Sequence, residues 1–600
     1  DDALQKVETA EAPALAAHQD AIFLNEKLFA RVDALYQKRD QLKLDPESRQ
    51  LLEVYHQQFV HAGAKLSAAD KAKLKDLNKQ LSTLETAFEQ KLLAAAKAGA
   101  LVVDKKDDLA GLGDDGIAAA AKAAEGRKLN GKWMLPLQNT TQQPALQSLS
   151  NRAVRQKLFE SSWTRAEKGD ANDTRATISS LAQLRATKAK LLGFPNYAAY
   201  VLEDQMAKTP DAVEKFLGQL IPATAAEARR EAKVLQAQID KTGGHFQLKP
   251  WDWNFYAEQV RKAQYDLDEN EIKPYFELDN VLKNGVFFAA NQLYGLTFKE
   301  RKDIPVWQPD VRVFEVTDKD GSPLGLMYFD YFKRDNKQGG AWMSNLVGQS
   351  KLLGTKPVIY NVANFTKPAP GKPALLSFDD VTTMFHEFGH ALHGLFANEK
   401  YPTLSGTNVA RDFVEFPSQF NEHWALYPDV LKHYAVNYKT GAPMPDALVQ
   451  KIKKAATFNQ GYELGELLAA AKLDMQWHEL GADAPKQDVN QFETKALAAT
   501  GLPVDDVPPR YRSTYFLHIW SNGYAAGYYA YMWTEMLDDD AFHWFTTHGG
   551  MTRTNGQRFR DMILSRGHTL DYGPMFRAFY GKDPDIGPML EHRGLAPQKG

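Results

Sequence analysis

Apolar residues recur at helical spacing over long segments of the chain, and this pattern restricts its possible folds most strongly. From Leu77 to Leu92 they lie three or four positions apart, with Lys, Glu and Gln between them. Such spacing places them on one face of a long amphipathic helix. We expect residues 35–60 to supply its antiparallel partner. Helical patterns resume at residue 151 and continue to about residue 296, so the predicted fold is mainly α.

A short β-like region interrupts the helical pattern. Residues 311–316 and 324–332 have strand composition, and a turn signal at Asp320-Gly321 separates them. Residues 357–362 form a further candidate strand. Because the region directly precedes the densest chemical motif of the chain, we predict a small β-sheet that forms one wall of a site.

Composition excludes several classes of function. The 600 residues include 72 Lys and Arg against 75 Asp and Glu, a formal net charge of −3. A balanced chain lacks the basic footprint of nucleic-acid binding, and no uncharged apolar run reaches the roughly 18 residues of a membrane helix. There is no Cys, so any metal must be held by His, Asp and Glu.

The strongest motif is His386-Glu387-Phe388-Gly389-His390, within an apolar segment. On a helix, two His at i and i+4 lie one turn apart on the same face and can both reach one zinc ion. Glu387 lies beside them, where it can take a proton from a metal-activated water. His386 and His390 are therefore candidate zinc ligands, and Glu387 is the candidate general base.

A third ligand determines the class of zinc site. The metzincin pattern requires Gly and His at the third and sixth positions after the second His, where this chain has His393 and Phe396. We therefore expect a Glu from a following helix, with Glu415 as the candidate. Glu399 competes for this role, although its neighbours are typical of an exposed turn.

Two further carboxylates lie at helical spacing from Glu415. Asp412 precedes it by three positions, and Glu422 follows it by seven. Either is a candidate to accept a hydrogen bond from a ligand His and orient its ring. Ordinary carboxylates on a helix surface are an equally weighted alternative.

The extended motif at 386–393, together with Val414-Glu415-Phe416-Pro417-Ser418-Gln419, resembles the thimet oligopeptidase family of zinc metallopeptidases. Segments 163–168, 204–209 and 405–408 are similar to its bacterial peptidyl-dipeptidase branch. The resemblance covers most of the chain. It implies a two-lobed helical fold with a deep central channel, one zinc ion per chain and peptide hydrolysis. It also implies that an N-terminal stretch of full-length members is absent.

A second candidate cluster lies in a Tyr-rich segment, residues 510–535. Tyr524, Tyr528 and Tyr531 are spaced i, i+4 and i+7, which predicts one helical face. Such a stripe is usually core, but several buried phenols would need hydrogen-bond partners. The resemblance implies that His518, Tyr524 and Tyr531 stabilise the reaction's oxyanion, while Tyr528 packs or contacts substrate.

Substrate contacts are predicted on three further elements. Gly523 belongs to the loop before the tyrosines, and Arg512 or Arg510 is a candidate cation for a substrate carboxylate. Ala341 lies in segment 339–343, a candidate sheet edge to which a peptide backbone could add as a strand.

These assignments predict a zinc-dependent peptidyl-dipeptidase that releases dipeptides from the C-terminus of oligopeptides. An endo-acting oligopeptidase of the same family is the alternative, since both share the catalytic motifs. A weaker alternative is a non-enzymatic helical protein with a structural zinc, which requires a fourth ligand from His393, Glu399 or Glu422.

We divide the chain into an N-terminal helical region, residues 1–145, and a catalytic region, residues 146–600, with the zinc site at 386–422. The expected partners are short unstructured peptides with a free C-terminus, bound by a monomer, without nucleic acid or membrane. A cytoplasmic location is expected. Because the chain begins without Met, removal of a signal peptide and a periplasmic location are the alternative.

Overall fold

The computed structural model describes residues 2–266, 269–333, 340–368 and 371–596, and helices form most of the molecule. The α-helices span Asp2–Phe23, Glu26–Gln37, Pro46–His61, Ala68–Ala98, Asp114–Glu125, Arg152–Trp163, Arg175–Leu191, Tyr197–Leu202, Pro210–Lys241, Pro250–Tyr265, Glu269–Ile272, Leu278–Asn280, Phe287–Tyr294, Phe378–Leu395, Arg411–Val414, Phe416–Glu422, Pro428–Tyr434, Asp446–Ala455, Gln460–His478, Val489–Ala498, Leu517–Trp520, Ala530–Thr547, Arg553–Phe559, Tyr572–Tyr580 and Ile586–His592. The strands are β1 (Leu101–Val103), β2 (Trp133–Leu135), β3 (Thr297–Glu300), β4 (Arg312–Thr317), β5 (Pro323–Phe332), β6 (Trp342–Val347) and β7 (Val358–Phe365). Single 3-10 turns and the π-helical turns Val281–Val286 and Arg560–Leu564 complete the regular structure.

The amphipathic helix predicted near the N-terminus is confirmed as Ala68–Ala98. The Ser67 side chain caps its first turn, and its apolar stripe is buried. The predicted partner is wrong, because this helix packs mainly on Asp2–Phe23 and Arg175–Leu191. Residues 35–60 instead contain a break between two short helices that pack on each other, where Lys43 adopts a positive φ.

The predicted small sheet is also confirmed. Five strands are arranged in the order β3-β4-β5-β7-β6, with β5 and β7 parallel and the other pairs antiparallel. Gly321 has a φ of +85° in the turn between β4 and β5, a conformation that costs glycine little. Strand β6 lies at the edge of the sheet.

The sheet supports the helix that carries the HExxH motif, Phe378–Leu395, which we call the motif helix. A Cβ atom on Gly394 would lie 2.7 Å from Ile359 of β7 and 2.8 Å from Met343 of β6. Glycine at this position therefore lets the motif helix pack closely on the two strands that border the site.

The main core runs through the motif helix and the Tyr-rich segment, and a smaller core contains Val103, Leu146 and Phe159. Each large apolar side chain fully buried in this way contributes about 1.5–3 kcal/mol. The smaller core has members on both sides of residue 145, at which we divided the chain. None of the helices in the described ranges has both the length and the hydropathy needed to cross a membrane.

Candidate active site

The motif helix begins with a capping box. The Ser377 side chain accepts a hydrogen bond from the Asp380 backbone N–H, and the Asp380 side chain accepts one from Ser377. Such reciprocal caps satisfy two backbone donors that the helix cannot pair internally. Phe385 and Phe388 are buried in the core, while His386 is on a partly exposed face.

A glycine within the motif allows the next helix to approach. A Cβ atom on Gly389 would lie 2.6 Å from both the Pro417 carbonyl oxygen and the Ser418 Cα atom. Asn421 ties the two helices together, since its side chain donates a 2.7 Å hydrogen bond to the Phe385 carbonyl. This close packing brings Glu415, immediately before helix Phe416–Glu422, against the two motif histidines.

His386, His390 and Glu415 form a compact group, which we call the HExxH centre. The Nε2 atoms of His386 and His390 lie 3.3 and 3.0 Å from Glu415 Oε2. All three candidate ligand atoms are within 4.8 Å of one another. Among the described residues no further His, Asp or Glu joins this group, so its donor set of two imidazoles and one carboxylate suits a metal with an open position.

The side chain of Glu422 contacts the HExxH centre from outside. Its Oε1 atom is 2.6 Å from His386 Nδ1. A carboxylate on the far nitrogen of a ligand His fixes the ring tautomer and orientation. The structure thus places Glu422 where the sequence predicted an orienting carboxylate.

Asp412 has a different position from the one we predicted. It is fully buried and accepts hydrogen bonds from the backbone N–H groups of Met206 and Ala207 and from the Tyr529 hydroxyl. The prediction that Asp412 orients a ligand His is therefore corrected: it connects the Tyr-rich segment to a distant loop. Its helical spacing from Glu415 fails because Asp412 itself departs from helical geometry.

Glu399 also differs from expectation, because it is 1% exposed rather than on the surface. Burial raises the pKa of its carboxyl group to about 7. It lies outside the HExxH centre, as does the fully buried His393. Neither therefore supplies the fourth ligand that a closed structural zinc site requires.

Glu387 is buried beside the HExxH centre, and its Oε2 atom has no hydrogen-bond partner in the described part of the chain. Burial raises the pKa of this carboxyl group, against the opposing effect of His386 and His390. Glu387 and His386 line a cavity of about 990 Å³, which Ala341 and Glu422 also line. A carboxyl group poised in this way is suited to proton transfer inside a cavity that can hold a substrate.

The Tyr-rich segment forms a cluster of rings next to the HExxH centre. The Tyr524 and Tyr531 rings stack with centroids 5.4 Å apart, and His518 lies 5.5 Å from Tyr524 and 5.4 Å from Tyr528. Burial, Tyr524 and the Glu415 carboxylate all raise the pKa of Tyr531. All four predicted residues are therefore brought together, with Tyr531 near a candidate ligand.

The cluster does not form the helical stripe that the spacing predicted. Helix Ala530–Thr547 carries Tyr531 but begins after Tyr524 and Tyr528; Tyr528 lies in a turn, and Tyr524 lies in the irregular segment before it. Ala526 has a φ of +51° there, a left-handed conformation that ends helical periodicity. The rings meet because the chain turns.

A buried carboxylate that the sequence analysis missed holds this turn. Asp474 accepts hydrogen bonds of 2.8–2.9 Å from the backbone N–H groups of Ala526, Gly527 and Tyr528. His478 Nδ1 lies 2.8 Å from Asp474 Oδ1, and Arg185 contacts the other side of that ring. A lone Asp between Leu473 and Met475, on a buried helix, was the available signal.

The predicted cation contact requires a further correction. Arg512 is 6% exposed and is paired with Glu493 at 2.6 Å and Glu167 at 2.9 Å. Its charge is used inside the protein, so Arg512 does not serve as the substrate cation. Arg510 is more exposed and is paired with Glu466 at 2.6 Å.

The two small residues predicted to contact substrate border cavities. Gly523, with a φ of +74°, lines a second cavity together with Arg411, and the Arg411 guanidinium lies 4.2 Å over the Tyr524 ring. Ala341 directly precedes edge strand β6. Gly339, within the predicted edge segment, lies outside the described residues.

Two His one turn apart, a Glu directly before the helix that packs on them and a buried carboxyl group beside them are the site of a metallopeptidase. A model of Peptidase family M3 matches residues 145–595. The chain is 57% identical over 594 residues to dipeptidyl carboxypeptidase of Escherichia coli (strain K12), covering 99% of this chain and 87% of that protein. The chain therefore belongs to peptidase family M3.

A second relative agrees with this assignment, and one solved structure is similar in fold. Oligopeptidase A of Escherichia coli (strain K12) is 35% identical over 546 residues, covering 90% of this chain and 80% of that protein. The solved structure "PZ peptidase A with inhibitor 2" has a TM-score of 0.52 at 14% identity, covering 98% and 85% of the two chains. The latter is a likeness of fold alone. The protein is thus a metallopeptidase, and its substrates are peptides.

Proposed function

We propose that the protein is a zinc-dependent peptidyl-dipeptidase that removes dipeptides from the free C-terminus of short, unstructured peptides and acts as a monomer. The observation that carries this proposal is the similarity, over nearly the whole chain, to a relative named dipeptidyl carboxypeptidase. The alternative is endo cleavage, because the relative named oligopeptidase A also aligns with most of the chain.

The donor set of the HExxH centre fits one zinc ion per chain. His386, His390 and Glu415 would hold it, and Glu422 would keep the His386 ring oriented through its 2.6 Å contact. When bound, zinc lowers the pKa of a water molecule and polarises a carbonyl group.

The protein's own groups carry the proton transfers. Glu387 takes a proton from the attacking water and later passes it to the leaving amine, and its buried, unpartnered oxygen supports this role. Tyr531, with Tyr524 and His518 beside it, donates a hydrogen bond to the oxygen that gains negative charge in the transition state. Tyr528 is buried among these rings and packs the cluster.

Edge strand β6 is the proposed docking edge for the peptide. Its outer side has no neighbouring strand in the described sheet, and Ala341 at its start lines the same cavity as Glu387. A peptide that adds there as a further strand gains backbone hydrogen bonds that do not depend on side-chain identity.

Cleavage of a decapeptide with a free C-terminus, compared with its C-terminal amide, tests the proposal. A charge-assisted contact to the carboxylate is worth roughly 1.5–3 kcal/mol, so amidation should reduce kcat/KM by about 10²-fold at the upper part of that range. Mass spectrometry should show successive dipeptides leaving the C-terminal end. Internal cleavage of the amide at an undiminished rate would refute the dipeptidase assignment in favour of an oligopeptidase.

A further inference from the structure

A second group of His and Asp side chains lies outside the HExxH centre. His423, Asp538, Asp539 and His592 meet from three elements: the turn His423–Leu426, helix Ala530–Thr547 and the end of helix Ile586–His592. The candidate ligand atoms of His423, Asp539 and His592 all lie within 4.8 Å of one another. Within the described ranges, only this group and the HExxH centre meet that condition.

The distances in this group resemble those of the HExxH centre. His423 Nε2 lies 2.7 Å from Asp538 Oδ1 and 3.5 Å from Asp539 Oδ1, and His592 Nδ1 lies 2.7 Å from Asp539 Oδ1. Neighbouring ligands around a tetrahedral zinc are about 3.3 Å apart for bonds near 2.0 Å. Small side-chain rotations therefore bring His423, Asp539 and His592 to coordination distance, and Asp538 contacts the same His423 nitrogen.

The charges of the group favour a cation. The side chains of Asp538 and Asp539 are 5% and 3% exposed, and two neighbouring buried carboxylates are unfavourable without compensation. A single N–H at His423 Nε2 cannot satisfy both of them, and the second imidazole partner of Asp539 is the half-exposed His592. Asp539 Oδ2 is buried without a hydrogen-bond partner in the described residues, which leaves one ligand position unused.

Arg593 supplies only part of this compensation: burial raises the pKa of both Asp538 and Asp539, and the Arg593 charge opposes that rise. The guanidinium of Arg593 is bound to Glu535 at 2.5 and 2.8 Å, so its charge is paired there. Phe542 stacks on the His423 ring at 4.1 Å and limits its rotation. The ring is therefore held with Nε2 directed at the two carboxylates.

A cation can reach the group from solvent. The four side chains line a cavity of about 770 Å³, and the His592 side chain is 58% exposed. Imidazole with carboxylate is a donor set that suits zinc and other divalent transition metals better than Mg²⁺ or Ca²⁺.

We propose that His423, Asp538, Asp539 and His592 form a second site for a divalent transition-metal ion, with Zn²⁺ as its probe. The site joins helix Ile586–His592 to helix Ala530–Thr547. It also holds His423, which directly follows the Glu422 that contacts His386. A metal bound there would therefore steady the turn beside the HExxH centre.

The zinc stoichiometry, measured by inductively coupled plasma mass spectrometry, tests this proposal. The full chain is stripped with a chelator, dialysed against micromolar ZnCl₂ and then freed of unbound metal. We expect two zinc ions per chain in the wild type and one in both His592→Ala and His386→Ala. The control His543→Ala, on the same helix and cavity wall as the group but outside its contacts, should keep two.

A second measurement separates this site from the HExxH centre. In the His386→Ala background, added Zn²⁺ should raise the Tm, and the further change His592→Ala should abolish that rise. Because loss of His592 also removes the 2.7 Å partner of the buried Asp539 carboxylate, the rise in each variant is measured against its own metal-free Tm. The proposal is overturned if the wild type binds one zinc and His386→Ala binds none, or if His592→Ala still binds two.

Discussion

Removing the Glu422 side chain tests how the HExxH centre is organised. In Glu422→Ala, His386 loses the acceptor 2.6 Å from its Nδ1 atom, so its ring is free to rotate and its basicity falls. A hydrogen bond to a charged group is worth roughly 1.5–3 kcal/mol. The Glu422 side chain is 34% exposed, and solvent screening favours the lower end of that range.

A loss of about 1.4 kcal/mol corresponds to a roughly 10-fold weaker zinc affinity. Competition of the metal-free protein with a chromogenic chelator, in the His592→Ala background that removes the proposed second site, measures this Kd directly. Glu422→Gln keeps an acceptor but loses the charge, so its Kd should lie between those of wild type and Glu422→Ala. Glu463→Ala is the matched control, because Glu463 lines the same cavity without belonging to the HExxH centre. An unchanged Kd in Glu422→Ala would refute the reasoning.

Three further predictions concern the base, the ring cluster and a buried carboxyl group. Glu387→Gln should abolish turnover yet bind as much zinc as the wild type, and loss of metal from this variant would contradict its role as a base. Tyr531→Phe should lower kcat by about 10²–10³ with little change in KM, whereas a lower Tm with normal kcat would indicate a core role. The pKa of the Glu399 carboxyl group is about 7 in the folded protein, against 4.5 for an unperturbed Glu. The wild type therefore loses stability as the pH rises from 4.5 to 7, because ionisation is unfavourable only in the folded state. Glu399→Gln should therefore gain up to about 3 kcal/mol in unfolding free energy at pH 8 and almost nothing at pH 4, as measured by urea unfolding; equal gains at both pH values would refute it.

Local sequence patterns were sufficient to predict the helices and strands that bury an apolar face. The stripe of helix Ala68–Ala98, the strands of the sheet and the HExxH helix follow from side-chain period, because burial of one face depends on spacing along the chain. The partner of Ala68–Ala98 was not predictable in this way. Many amphipathic helices offer similar faces, and the choice among them is made by packing between distant segments.

The contacts of Asp412 and Arg512 were likewise not predictable from local sequence. Asp412 lies at helical spacing from Glu415 but serves Met206, Ala207 and Tyr529 instead. Arg512 has the positive charge that a substrate carboxylate needs, but it is paired with Glu493 and Glu167. Residue type states what a side chain can bind, whereas its actual partner depends on which chain segments surround it.

By itself, the sequence determined that His386, Glu387 and His390 lie together on one helix, since an HExxH motif needs only local helical geometry. Tertiary structure alone decided how the rest of the site is assembled. Gly389 allows the helix after Glu415 to pack closely on the motif helix. Asp474 accepts hydrogen bonds from the turn that brings Tyr524 and Tyr528 next to Tyr531. These contacts join residues far apart in the chain, and no periodicity encodes them because they arise only when separate elements pack against one another.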